Sequence, residues 1–157
     1  MKVSEVPPPI DTPALLPGMQ FADAYCIEVP DRALDAHGAM QRMTARSPRW
    51  AETLLSIRNL VVMPFGLKTS GRNEGPSKET IGIFPVLSET PHRLVAGFND
   101  KHLDFRVVVD VAAIGTGQQV TATTLVKTHN RFGRAYLTLI MPFHRLIVAS
   151  MLRRIAA

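Results

Sequence analysis

Asp23 is the first residue of this 157-residue chain whose type and position suggest chemistry. It alternates with Phe21 and Tyr25 in a strand-like run whose face we expect to be interior. A buried carboxylate needs a partner or takes up a proton. Asp23 and Tyr25 could therefore orient a polar group of a ligand. The alternative is that the strand twists at its start and Asp23 reaches solvent.

A second candidate group is His102, Asp104 and His129. His102 and Asp104 are two residues apart on one strand face, and the hairpin register places His129 opposite His102. A histidine–carboxylate pair can act as a general base or bind a metal. No His-x-His or cysteine spacing strengthens this reading, and an exposed face with an Asp104–Lys127 ion pair explains the same residues. We therefore predict no metal site.

His144 is the third candidate, and it lies in the long apolar segment that closes the sequence. Asn130 can cap a helix there. Apolar residues then recur at steps of three and four as one stripe, which consists of Phe132, Tyr136, Leu139, Phe143, Ile147 and Met151. His144 falls off this stripe, which favours a place on the surface or the helix flank. Pro142 should kink the helix.

The preceding elements must supply the surface on which this helix lies. A strand at 19–29 is followed by a helical region opening at Asp31 and Asp35. A second helix begins at Ser47-Pro48 and ends near Pro64, and a polar, Gly-rich loop at 68–80 is expected to be mobile or to act as a lid. Four strands are predicted at 81–88, 92–99, 102–112 and 118–129.

Alternation assigns the faces of the predicted sheet. Leu103, Phe105, Val107, Val109 and Val111 share one apolar face, which should meet the long helix. A two-residue loop at 100–101 would pair Gly97 with Asp104 in the neighbouring strand. A second two-residue loop at 115–116 would pair Phe105 with Val126 and Asp104 with Lys127. The outer face carries an apolar group that suggests a homodimer surface, namely Phe84, Val86, Val95 and Leu125.

Composition narrows the class of protein. The formal charge of +5 is spread over scattered basic residues, which argues against nucleic acid as a partner. Cys26 is the single cysteine, is a poor candidate nucleophile, and fits a reducing cytoplasm. No signal peptide is indicated, and His144 with Arg145 interrupts the apolar residues 135–152, which argues against a membrane span. No nucleophile elbow or phosphate loop is present, and we predict no cofactor.

Several segments resemble a bacterial family catalogued as domain of unknown function 2867, placed among START/Bet v 1-like helix-grip domains. The matching segments cover most of residues 17–155. They are Ser47-Pro48-Arg49-Trp50, Ile57-Arg58-Asn59, Gly66-Leu67-Lys68, Phe84-Pro85-Val86, His102-Leu103-Asp104-Phe105-Arg106, Thr128-His129-Asn130 and Pro142-Phe143-His144-Arg145. Family members also resemble the C-terminal part of some epimerase-like NAD-binding proteins. This chain lacks the Gly-x-Gly-x-x-Gly motif, so we expect no NAD binding.

These observations predict an α+β protein of the helix-grip type, with a bent antiparallel sheet around a long C-terminal helix and two short helices after the first strand. Residues 1–17 would be an extended, Pro-rich lead-in and residues 18–157 a single domain. We expect a cavity for a small apolar or amphipathic ligand, lined by Asp23, Tyr25, Thr124, Thr128, Phe132, Tyr136 and Phe143. The alternatives are a cyclase, dehydratase or hydrolase using acid–base residues in that cavity, and a dimerising interaction module.

Overall fold

The computed structural model describes residues 2–10, 12–30, 33–44, 80–81, 84–99 and 103–156. The predicted helix that begins at Ser47, residues 68–79 of the predicted loop and His102 lie outside these ranges, whereas Thr80, the last residue of that loop, is in a strand. The described elements, in chain order, are β1 (Ser4–Val6), α1 (Thr12–Leu15), β2 (Phe21–Val29), α2 (Ala36–Thr44), β3 (Thr80–Ile81), β4 (Phe84–Glu89), β5 (Arg93–Asn99), β6 (Leu103–Ile114), β7 (Gly117–Thr128) and α3 (Arg131–Ala156).

All strand pairs are antiparallel, in the order β1-β2-β7-β6-β5-β4-β3. The prediction of an α+β protein with an antiparallel sheet and a long C-terminal helix is confirmed. Two predicted helix starts are also confirmed. Asp35 accepts a hydrogen bond from Gly38 N at 2.7 Å before α2, and Asn130 accepts one from Gly133 N at 2.9 Å before α3.

The predicted β6–β7 register is confirmed, because Phe105 pairs with Val126 and Asp104 with Lys127. The β5–β6 register is wrong by two residues, since Gly97 pairs with Arg106 and not with Asp104. The connection is longer than the predicted two-residue loop. A shift of two positions leaves every side chain on its predicted face, because strand side chains alternate with period two.

Residues 1–17 were expected to be an extended lead-in, but β1 joins the sheet. Ser4 pairs with Cys26 and Val6 with Ala24. An edge strand has unpaired backbone N–H and C=O groups, and pairing with β1 satisfies those of β2. The chain then continues into α1 and the buried Leu16. The N-terminal segment is thus part of the fold.

The inner face of the sheet packs against α2 and α3. Val107 and Val109 of β6 join Met40 of α2 and Leu152 of α3 in one buried cluster. Tyr25, Ile27 and Val29 of β2 and Val120 and Ala122 of β7 belong to the same cluster. The predicted inward direction of the alternate β6 residues is therefore confirmed, with Phe105 half-buried at the margin.

The opposite face of the sheet is not an open apolar surface. Val95 and Leu125 lie there as predicted, but they are 5% and 0% exposed within the single chain. Val86 does not belong to this face, because it pairs with Ala96 and packs against the inner cluster. A register irregularity between Val86 and Ser88 separates the two ends of β4, which alternation alone could not reveal.

The buried face of α3 differs from the predicted stripe. Val148, Leu152 and Ile155 are buried, whereas Leu139 is 72% and Phe143 is 40% exposed. Apolar residues occur on nearly all sides of this helix, so periodicity offered two competing faces and the predicted one was wrong over its middle part. By length and composition alone α3 could cross a membrane, and only 11% of its apolar 18-residue window is buried.

Candidate functional site

His144 and Asp23 form a polar contact between α3 and the inner face of the sheet. The Nε2 atom of His144 lies 3.1 Å from Oδ2 and 3.2 Å from Oδ1 of Asp23. Their side chains are only 15% and 10% exposed. The ring of Phe21 meets the imidazole edge to face, with centroids 6.2 Å apart and an interplanar angle of 84°. The pair is thus shielded on one side by an aromatic ring.

A second contact lies beside the first on the same two elements. Arg145 Nε donates a hydrogen bond of 3.1 Å to the hydroxyl of Tyr25, and Arg145 Nη2 lies 3.0 Å from Oε2 of Glu5 in β1. Burial raises the pKa of the Tyr25 hydroxyl, and the negative charge of Asp23 raises it further. The hydrogen bond with Tyr25 raises the pKa of Arg145. Tyr25 therefore stays protonated over the neutral range.

The two contacts follow from simple geometry. Asp23 and Tyr25 are two apart in β2 and share the inner face, where Asp23 pairs with Thr124 and Tyr25 with Ala122. His144 and Arg145 are consecutive in α3, and both contact β2, His144 at Asp23 and Arg145 at Tyr25. Phe21, which precedes Asp23 on the same face, is only half-buried. The result is a hydrogen-bonded polar group at the margin of the apolar core.

This polar group can exchange protons and hold polar ligand atoms. In a neutral imidazole one ring nitrogen donates a hydrogen bond and the other accepts one, according to the tautomer. An ionised Asp23 carboxylate can only accept, so it favours the form of His144 that carries a proton on Nε2. The Tyr25 hydroxyl has acceptor and donor capacity in addition to the bond from Arg145. Such a group can orient a hydroxyl, carbonyl or carboxylate, or act as a general acid–base pair.

Sequence reasoning missed Arg145 and Glu5 as members of this group, and it considered His144 without connecting it to Asp23. His144 was expected on the surface or helix flank, but it turns to Asp23, which faces inward. The signal available was the interruption of an apolar helix by His144 and Arg145, because polar side chains there need partners. Glu5 carried no comparable signal, since it lies in a segment whose pairing with β2 is a long-range event.

The other predicted ligand residues have different surroundings. Thr124 is 3% exposed and faces inward beside Asp23. Thr128 is also buried, but its hydroxyl and its N–H both bond to the side chain of Gln20, the latter at 3.1 Å. Phe132 and Tyr136 are half-buried. Phe143 was also predicted to line the cavity, but it is 40% exposed and lies on the outer side of α3.

The predicted group on the other sheet face is represented by Asp104 and His129. The Nε2 atom of His129 lies 2.9 Å from Oδ1 of Asp104. His102 lies outside the described residues. Among the described residues, no cluster of three or more His, Cys, Asp or Glu side chains could hold a metal ion. Cys26 is buried, and its thiol accepts a hydrogen bond of 3.4 Å from Gln119 Nε2.

Among the described residues, two of the open clefts lie away from the Asp23–His144 pair. One, of about 530 Å³, is lined by Arg93 and Asp110, whose side chains pair at 2.6 Å. The other, of about 460 Å³, is lined by His37 and Glu89, which form an ion pair. Neither cleft includes any of the seven predicted ligand residues.

Comparisons with solved structures return distant likenesses. A Rhodobacter sphaeroides protein is 10% identical, with 99% of this chain and 95% of that chain covered and a TM-score of 0.47. A Thermus thermophilus protein is 11% identical, with 86% and 94% covered and a TM-score of 0.41. A conserved Geobacillus kaustophilus protein is 13% identical, with 87% and 93% covered and a TM-score of 0.41. Nothing about function follows from them.

None of the curated proteins matches this chain. One family model does match, over residues 15–151, and its description is "Protein of unknown function (DUF2867)". That range includes the whole of β2 and α2, strands β3 to β7, and α3 as far as Met151. The chain therefore belongs to the DUF2867 family of proteins of unknown function.

Proposed function

We propose that this protein is a small-molecule binding domain of the helix-grip type, which holds an apolar or amphipathic ligand between the inner face of the sheet and α3. The observation that carries the proposal is the Asp23–His144 pair, with its neighbours Tyr25 and Arg145, at the margin of the core. A polar group in such a place orients a ligand whose remaining atoms are apolar. The single, buried Cys26 fits a cytoplasmic location.

A gradient of packing along the inner face supports this position. Val107, Val109 and Leu152 are almost fully buried at one end. Aromatic side chains toward the other end are only half-buried, namely Phe21, Phe105, Phe132 and Tyr136. Aromatic rings that remain partly accessible beside a hydrogen-bonding group are typical of ligand sites.

The length of this region suits a small ligand. The inner face from Thr124 to Thr128 spans about 13 Å of β7, and α3 begins three residues after Thr128. The first turns of α3 therefore lie near the end of β7. His144, further along the helix, contacts Asp23. A ligand with one polar group at Asp23 would direct its carbon skeleton toward Phe132 and Tyr136.

Titration with an apolar fluorescent probe, anilinonaphthalene sulfonate, tests the proposal. Thr124→Trp should weaken saturable binding by about tenfold, because the indole occupies space that the probe needs. Thr116→Trp is the matched control, because Thr116 is exposed in the β6–β7 turn, and its affinity should equal that of the wild type. Thr124→Leu provides a smaller change if the tryptophan variant does not fold.

The proposal fails if the folded wild type shows no saturable binding. It also fails if both Thr124 variants bind as tightly as Thr116→Trp. Asp23→Asn separates the polar contribution from the shape of the site, since it keeps the side-chain volume and removes the charge. We expect this variant to bind the probe and to discriminate less among ligands with different polar groups.

The second candidate function is an acid–base enzyme of the cyclase, dehydratase or hydrolase kind, and the Asp23–His144 pair is the observation that favours it. Hydrolysis of p-nitrophenyl acetate that is abolished by His144→Gln, with probe binding retained, would support this candidate. Equal hydrolysis by His144→Gln and by His37→Gln would contradict it. A homodimer through the outer sheet face is not favoured, because Val95 and Leu125 are already buried within one chain.

A further inference from the structure

An apolar row on the outward side of α3 has no role in the site described above. Leu139 is 72% exposed, Phe143 is 40% exposed and Leu146 is 61% exposed. Their spacings of four and three residues place them on one side of the helix, along about 10 Å of its axis. Large apolar side chains that are exposed singly are common, but an aligned row of three is a feature of interaction surfaces.

The opposite side of α3 is firmly attached to the rest of the chain. Val148 and Leu152 belong to the buried core cluster, and His144 and Arg145 are bonded to β2. The orientation of the helix is therefore fixed by packing and hydrogen bonds. The outward row therefore lies on the surface of the part of the chain that the structure describes, and α3 could not cross a bilayer without leaving the sheet.

The charge of α3 selects among partners. Residues 131–156 contain five arginines, one histidine and no acidic residue. Arg131 and Arg153 are exposed, and at helical spacing both lie along one flank of the apolar row, one before it and one after it in the chain. Arg145 belongs to the attached side of α3, where it bonds to Tyr25 and Glu5. An apolar row beside a basic flank is the pattern of helices that lie in the plane of a membrane surface.

We propose that the outward face of α3 docks on an anionic lipid bilayer, with Leu139, Phe143 and Leu146 inserted at the headgroup boundary and the flanking arginines against lipid phosphates. A second copy of the chain is a poorer fit, because packing α3 against α3 would bring arginines together with no acidic residue on the helix to compensate. An anionic surface offers an apolar interior and negative charge at the same place.

Sedimentation with lipid vesicles tests this proposal. The full chain should bind vesicles of phosphatidylcholine and phosphatidylglycerol, mixed at roughly 7:3, and bind much less to phosphatidylcholine alone. The double variant Leu139→Ser/Leu146→Ser should lose about tenfold or more in partitioning, since both inserted side chains are removed. Ile114→Ser is the matched control, because Ile114 is 40% exposed on the β6–β7 hairpin, away from α3.

Arg131→Gln/Arg153→Gln separates charge from insertion. This variant should bind the mixed vesicles several-fold more weakly and show a smaller loss of binding when salt is raised. Circular dichroism checks that each variant keeps the fold. Absence of binding to the mixed vesicles by the folded wild type would overturn the proposal, as would equal losses for the leucine pair and for Ile114→Ser.

Sedimentation velocity without lipid tests whether a second copy of the chain, and not a bilayer, binds the apolar row. The proposal expects a monomer whose sedimentation is unchanged by Leu139→Ser/Leu146→Ser. A dimer that this double variant dissociates would assign the row to self-association and would overturn docking on lipid. Probe binding at Thr124 is independent of these outcomes, so the membrane surface and the proposed ligand site can fail separately.

Discussion

His144→Ala should destabilise the protein by about 2–4 kcal/mol at neutral pH. The change removes a hydrogen bond to a carboxylate that is 10% exposed, for which the cost is about 1.5–3 kcal/mol. It also removes the edge-to-face contact with Phe21, worth about 0.5–1.5 kcal/mol. Urea unfolding followed by circular dichroism measures the loss. With a slope of roughly 2 kcal/mol per molar, the midpoint should fall by about 1–2 M.

The His37–Glu89 pair provides a matched control, because it also joins a histidine to a carboxylate. Its side chains are more exposed, at 29% and 34%. Exposed ion pairs contribute about 0–1 kcal/mol, so His37→Ala should have a small effect. In the His144→Ala background, Asp23→Asn should be neutral or stabilising, since it removes a carboxylate left without this partner. The reasoning is refuted if His144→Ala lowers the free energy of unfolding no more than His37→Ala does. The contact with Asp23 would then be as weak as an ion pair exposed to solvent.

The remaining predictions concern Tyr25 and two glycines. Because the folded state raises the pKa of Tyr25 above its ordinary value of 10.0, Tyr25 supports stability below that pH and the contribution is lost as pH rises through the folded pKa. Tyrosinate absorbance should therefore contain an alkaline step above pH 10 that Tyr25→Phe removes and Tyr136→Phe leaves; a step below pH 10 would contradict this. Gly97→Ala should cost more than about 2 kcal/mol in thermal unfolding, because a Cβ there would lie 2.1 Å from the carbonyl oxygen of Phe105. Gly115→Ala has no atom within 4 Å of its Cβ and should cost only about 1 kcal/mol for its positive φ, and equal losses for the two glycines would contradict the steric argument.

Local patterns of the sequence determined much of the fold. Alternation in β6 and β7, together with the Gly115 turn, predicted their register, because a hairpin with a short turn leaves little freedom in pairing. Asn130 predicted the start of α3, since capping depends on residues within one helical turn. Asp23 was identified as a candidate from its place between Phe21 and Tyr25. These inferences rest on neighbours in the chain.

Contacts between distant segments were decided by the tertiary structure alone. Asp23 and His144 are 121 residues apart, and no spacing rule connects them. The side of α3 that packs on the sheet was also undetermined, because a helix with apolar residues on nearly all sides has no unique hydrophobic face. The buried side is fixed by Val148, Leu152 and Ile155 against the core. That choice turns His144 inward to Asp23 and leaves Leu139 and Phe143 facing outward.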